Sequence, residues 1–133
     1  MKKTLLFIML AFSITFSGCS KKDTPENAAN EFMNSFVNGD FEAFKKYSTP
    51  QTQTMFALAM AMKCDKNTME NNPGKCLQEI ANNDKKFEII SVKKTDGTNA
   101  VVTLKEYLKS GQTKEVKVPV VKTEDGWKVN VKK

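Results

Sequence analysis

Glu106 is the side chain in this sequence best placed for acid-base chemistry. Ala100, Val102, Leu104 and Leu108 alternate with other residues and mark one face of a strand, and strict alternation turns Glu106 to that same face. A carboxyl desolvated there would hold its proton to higher pH, which suits proton transfer. A bulge or strand end near Glu106, turning it to solvent, is the commoner outcome where sheets bend. The chain has no histidine, so the commonest general base near neutral pH is missing and histidine-dependent triads are excluded. Asp40 is better explained as a helix cap. Tyr47 and Tyr107 have hydroxyls that a pocket mouth could use, although such tyrosines usually form amphipathic core edges. Met55, Met60, Met62 and Met69 offer thioethers of the kind that suit Cu(I). Without histidine or a tight Met-x-x-Met array, filling of an irregular core or apolar pocket is expected instead, and no metal or other cofactor is expected.

The cysteines define a second chemistry. Met1, Lys2 and Lys3 form a positive start, and Thr4 to Phe16 an uncharged, mostly apolar run. That run is too short to span a bilayer core, which takes about 20 helical residues, but it fits a signal peptide. Phe16-Ser17-Gly18-Cys19 resembles a lipobox: small residues admit the peptidase, and the cysteine thiol is the nucleophile that takes the diacylglycerol. Residues 1–18 are therefore expected to be a lipoprotein signal peptide, Cys19 the lipidated first residue, and 19–23 a tether reaching no more than about 15 to 20 Å. An ordinary signal cleaved after Ser17 is the alternative. Acylation of Cys19 would leave an even pair, Cys64 and Cys76, and an exported location permits a disulfide between them. Two free buried thiols remain the alternative. Two cysteines without histidine do not fill a zinc site.

All 21 basic residues are lysine. Forked recognition of phosphate or guanine edges belongs to arginine, so no nucleic-acid partner is expected. Residues 19–84 carry 7 lysines and 9 acids, whereas 85–133 carry 12 lysines and 6 acids. The basic half could face anionic headgroups or acidic polymers. A lysine-rich solvated sheet face that merely keeps the protein soluble is the expected reading.

These residues must be positioned by elements that the sequence punctuates clearly. Thr24-Pro25 reads as an N-cap followed by proline at the first helical position. Ala28, Ala29, Phe32, Met33, Phe36 and Val37 recur at three and four until Gly39 stops the helix. Asp40 can cap a short second helix through Tyr47, with Phe41, Phe44 and Tyr47 as its stripe. Thr49-Pro50 starts a third helix to about Met62, apolar all round over Met55 to Met62. That pattern means burial on most sides or a face kept for a partner or ligand. The turn Asn71-Asn72-Pro73-Gly74 breaks the segment between Cys64 and Cys76, and a short helix over Lys75 to Ala81 follows. From Lys85 the period becomes two. Phe87–Val92, Ala100–Leu108, Glu115–Val121 and Trp127–Val131 predict a four-stranded antiparallel meander with one apolar face. Pro119 points to an edge or a bulge.

Helices followed by a one-faced sheet predict a single α+β domain over 24–133, with the helices packed on one face of a curved sheet. Its Thr24-Pro25-Glu26-Asn27-Ala28-Ala29-Asn30-Glu31-Phe32 run, Gly39-Asp40-Phe41-Glu42 junction and closing Asp125-Gly126-Trp127-Lys128-Val129 resemble the nuclear transport factor 2-like superfamily, a cystatin-like architecture. They resemble most its small bacterial lipoproteins that carry a domain of unknown function. The resemblance implies a cone in which a curved sheet wraps a long helix and often leaves a pocket; it implies no activity. The expectation is a non-enzymatic, membrane-tethered binding module in which Phe32, Phe36, Phe44, Met55, Phe56, Met60, Glu106 and Trp127 line a cavity for a small apolar ligand. A structural envelope protein holding a protein or polymer partner, or a small isomerase or dehydratase with Glu106 as base, are the alternatives. Ser20 after the lipidated cysteine resembles the residue type that sends lipoproteins to the outer membrane of a two-membrane cell.

Overall fold

A computed structural model describes residues 23–131. The expected signal peptide at 1–18, the lipidation site Cys19 and the tether residues 20–22 lie outside the described residues. Among the described residues five helices precede four strands: α1 Pro25–Asn38, α2 Phe41–Lys46, α3 Pro50–Lys63, α4 Lys66–Asn71, α5 Pro73–Ile80, then β1 Asp84–Lys94, β2 Asn99–Leu108, β3 Thr113–Thr123 and β4 Gly126–Val129. The strands form one curled antiparallel sheet in the order β1-β2-β3-β4.

The helix starts follow from local chemistry. Thr24, Asp40 and Thr49 each accept a hydrogen bond from the backbone N–H three residues on, satisfying a donor that the first turn leaves orphaned. Gly39 ends α1 in the left-handed region, at φ 68°. Asp65 supplies the same cap to α4, bonding the Thr68 N–H at 2.7 Å. That helix was not read from the sequence, which there shows polar residues around the single apolar Met69.

The helix α1 lies in the hollow of the sheet. Its buried face of Ala28, Ala29, Phe32 and Phe36 meets Ala100, Val102 and Leu104 of β2, Val118 and Val120 of β3, and Val129 of β4 in one core. Burying each of these larger side chains contributes roughly 1.5 to 3 kcal/mol. Two further contacts fix the helix. Asn34 lies beside the free edge of β1, where its amide donates to the Phe87 carbonyl at 3.2 Å and accepts from the Phe87 N–H at 3.0 Å. It thereby stands in for a missing strand at that point. At the other contact, Gly74 of α5 touches the end of α1 so closely that a Cβ on it would sit 2.1 Å from the Gly39 carbonyl oxygen.

Pro119 sits inside β3, not on an outer strand, but just past the last β3–β4 pair, Val120 with Val129. Its carbonyl accepts from the Asn130 N–H at 2.9 Å. The proline has no N–H to return that bond, and the β3–β4 pairing stops at Val129.

α3 departs most from a buried helix. Only Thr52 and Met60 are fully buried, Phe56 packs partly against the core, and Leu58 and Met62 stand 69% and 87% exposed. Of the two outcomes open to an all-apolar helix, the structure has one face in the core and one in solvent.

Candidate functional site

Four rings close the interior beneath α3. Phe32 and Phe36 of α1, Phe44 of α2 and Phe56 of α3 all lie within 6.0 Å of one another, centroid to centroid. Most pairs are edge-to-face, the arrangement that ring quadrupoles favour. Phe32 and Phe44 are fully enclosed, as are Met60 and Trp127. Four of the eight side chains expected to line a cavity therefore fill the space instead, and Met55 is only half-buried on α3.

The other three, Phe36, Phe56 and Glu106, meet at a cleft. It holds about 110 Å³ and is walled by Met33 and Phe36, by Phe56, by Ile80 and Ala81 at the end of α5, and by Phe87, with Asp84 and Glu106 supplying its polar part. Glu106 keeps the inward alternation of Ala100, Val102 and Leu104. The irregularities expected near it occur instead in the facing strand, between Asp84 and Lys86 and between Ile89 and Ser91. The first of these places Asp84 opposite Leu108, on the same side as Glu106.

The two carboxyls affect each other. Burial, followed by hydrogen bonding and charge repulsion from Asp84, raises the Glu106 pKa above the ordinary glutamate value; Lys114 across the strand pair opposes the shift more weakly. The described ion pairs are Lys45–Glu42, Lys66–Glu70, Lys86–Glu88 and Lys122–Asp23, so among the described residues no lysine lies within 4.0 Å of either cleft carboxyl.

The remaining candidates lie elsewhere. Asp40 caps α2 through the Ala43 N–H at 3.1 Å. Tyr47 is buried behind α2 and gives its carbonyl to the Val129 N–H at 2.7 Å. Tyr107 points away from the cleft, and hydrogen bonding to Glu88 raises its pKa. Cys64 and Cys76 are joined in a disulfide with Cα atoms 5.8 Å apart, tying the end of α3 to α5. No group of three or more Cys, Asp or Glu side chains that could hold a metal occurs among the described residues. No described helix is long and apolar enough to cross a membrane.

Sequence reasoning missed Met33, Ile80, Ala81, Asp84 and Phe87 as cleft residues. Met33, Ile80 and Phe87 were visible as apolar positions of their elements. Asp84 carried no such signal, because plain alternation back from Phe87 puts it on the opposite face.

The cleft and the start of the described chain lie at opposite ends of the sheet. Asp23 accepts from the Trp127 N–H at 2.9 Å and pairs with Lys122 at 3.9 Å, beside the β3–β4 turn. Glu106 lies seven residues along β2 from Asn99, which pairs with Val121 near that turn, a separation of about 23 Å at strand rise.

Residues 17–130 match the model of a family described as a domain of unknown function, DUF4878. No curated protein matches the chain. Among solved structures, a Campylobacter jejuni protein provisionally described as an NTF2-like transpeptidase is similar, with 18% identity and a TM-score of 0.51 over 82% of this chain and 99% of that one. At that identity the likeness speaks for the fold alone, and it agrees with the helices and curled half-barrel sheet seen here. The family match spans the described domain almost completely, and the chain belongs to the DUF4878 family, built on an NTF2-like α+β fold.

Proposed function

We propose that this protein is an exported, lipid-anchored binding module whose ligand site is the cleft between α1, α3, α5 and the start of β1. The observation that carries this reading is an apolar-walled opening with a carboxyl pair as its polar element, in a molecule whose interior is otherwise packed with rings. The lipobox-like Phe16-Ser17-Gly18-Cys19 supports the anchor. With the described chain beginning at Asp23, at the far end of the sheet, the cleft would open away from the membrane and toward soluble ligands or partners.

A volume of about 110 Å³ is below the few hundred Å³ of drug-sized sites, so the ligand would insert a small group and not a whole large molecule. Transpeptidation does not transfer readily from the Campylobacter protein: the chain has no histidine, and Cys64 and Cys76 are bonded to each other. The exposed face of α3, with Leu58 and Met62, favours a second reading in which a protein partner of the envelope packs there.

Native mass spectrometry and thermal shift against a small-ligand panel test the first reading. Ligands are expected to stabilise the wild-type protein and not an Ala81→Leu variant, whose larger side chain fills the cleft. A panel that stabilises neither, or both equally, counts against the cleft. For the anchor, Cys19→Ser is expected to leave the membrane fraction and lose the mass of the lipid. In-cell crosslinking from Leu58 to one dominant protein would favour the second reading.

A further inference from the structure

We propose that the cleft recognises a primary ammonium group on a short apolar stem, with Asp84 and Glu106 accepting from its N–H donors while Phe36, Phe56 and Ile80 surround the stem. This rests on the cleft being the ligand site, and three observations carry it further. The first is the donor and acceptor inventory. No side chain lining the cleft carries an N–H donor, and its polar side chains are two carboxylates, which only accept when ionised. The pair can share a proton while Glu106 stays protonated; once both are ionised, a ligand that satisfies them must bring the donors.

The second is charge. Two carboxyls face each other at an apolar wall, and burial together with Asp84 disfavours the ionised form of Glu106. In a chain with 21 lysines, no described lysine lies within 4.0 Å of either carboxyl, Lys114 acting on Glu106 only from across the strand pair. A cation arriving from outside relieves that repulsion. A divalent metal fits less well, since hard cations take six or more oxygen ligands and the cleft offers two carboxyls. The third is size. A dry cavity of about 150 Å³ accommodates benzene, so 110 Å³ suits a stem of about four carbons.

The test is a titration of the purified protein with n-butylammonium, n-butanol and butyrate, following the Phe36, Phe56 and Ile80 resonances. n-Butylammonium is expected to shift all three and to bind about tenfold more tightly than n-butanol, the margin of charge-assisted over neutral hydrogen bonds. Asp84→Asn combined with Glu106→Gln is expected to abolish that preference while the remaining spectrum stays folded. Equal binding of n-butanol, or a preference for butyrate, would overturn the ammonium assignment and leave the cleft as a binding site. If none of the three moves these resonances, both readings fall.

Discussion

The third helix is held by opposite means at its two ends. Where β4 runs, directional bonds knit it to the strand: the Thr52 hydroxyl donates to the Val129 carbonyl at 3.1 Å and accepts from the Val131 N–H at 2.9 Å. Close by, the Thr49 N–H donates to Val129 at 3.0 Å, and the Thr49 hydroxyl meets the Asn130 side chain at 2.9 Å. At the other end a disulfide to α5 holds the helix, and the cleft opens between Phe56 at its middle and Ile80 and Ala81 at the end of α5. Hydrogen bonds in a buried seam leave no room for a ligand, because an unmet partner there is costly. A covalent link with apolar walls fixes position without consuming polar groups. The apolar cleft with its two carboxyls accordingly lies away from that seam.

The contrast breaks most visibly at the disulfide. Replacing Cys64 and Cys76 together by alanine is expected to cost about 3 kcal/mol in urea unfolding, from the restored entropy of a short loop; a loss under about 1 kcal/mol would mean that apolar contact alone secures the open end. Next in size, Thr52→Val should cost about 1 to 2 kcal/mol by the same measurement, since it strands the Val131 N–H and leaves the Val129 carbonyl only its bond from the Thr49 N–H. Thr52→Ser, which keeps the hydroxyl, should recover much of that loss if the bonds and not the shape hold the knitted end.

Glu106→Gln should behave differently. A carboxyl whose folded pKa is raised contributes stability that is fully present below its unfolded value, near 4.5, and is lost as pH rises through the folded value. The wild-type protein therefore loses stability across that window and the glutamine variant does not. The melting temperature of the variant relative to wild type should climb from pH 4 to pH 7. A flat difference would mean that Asp84 and burial do not act on Glu106 as the geometry implies. The smallest effect belongs to the outer face of α3, where Leu58→Gln or Met62→Gln should change unfolding free energy by no more than about 0.5 kcal/mol. A larger loss would show that this face is covered in solution, which sedimentation of the variant would then report.

The fold was largely legible because its signals are local. Thr24-Pro25 and Thr49-Pro50 each start a helix, and period-two runs of Val, Leu and Ala separated by Asp-Gly or Ser-Gly become hairpins with little dependence on the rest of the chain. The site was legible only in part. Glu106 could be read as inward because Ala100, Val102 and Leu104 precede it on a regular strand. Asp84 could not, because one extra residue in β1 reverses which face it joins, and the pairing of β1 with β2 decides where that residue goes. The Phe32, Phe36, Phe44 and Phe56 rings were expected around a cavity, yet they pack on one another. Sequence marks a side chain as apolar without showing whether its neighbours leave space.

By itself, the sequence determined the order and type of the elements, the absence of histidine chemistry and the small set of sulfurs able to pair. Tertiary structure decided the rest: which face of α3 meets solvent, which aspartate joins Glu106, and which end of the sheet stays open. Helix caps and strand periods depend on residues a few positions apart, so they are written in the chain. A cleft depends on how side chains from Met33 to Glu106, on five separate elements, fit against one another, and no local rule encodes that fit.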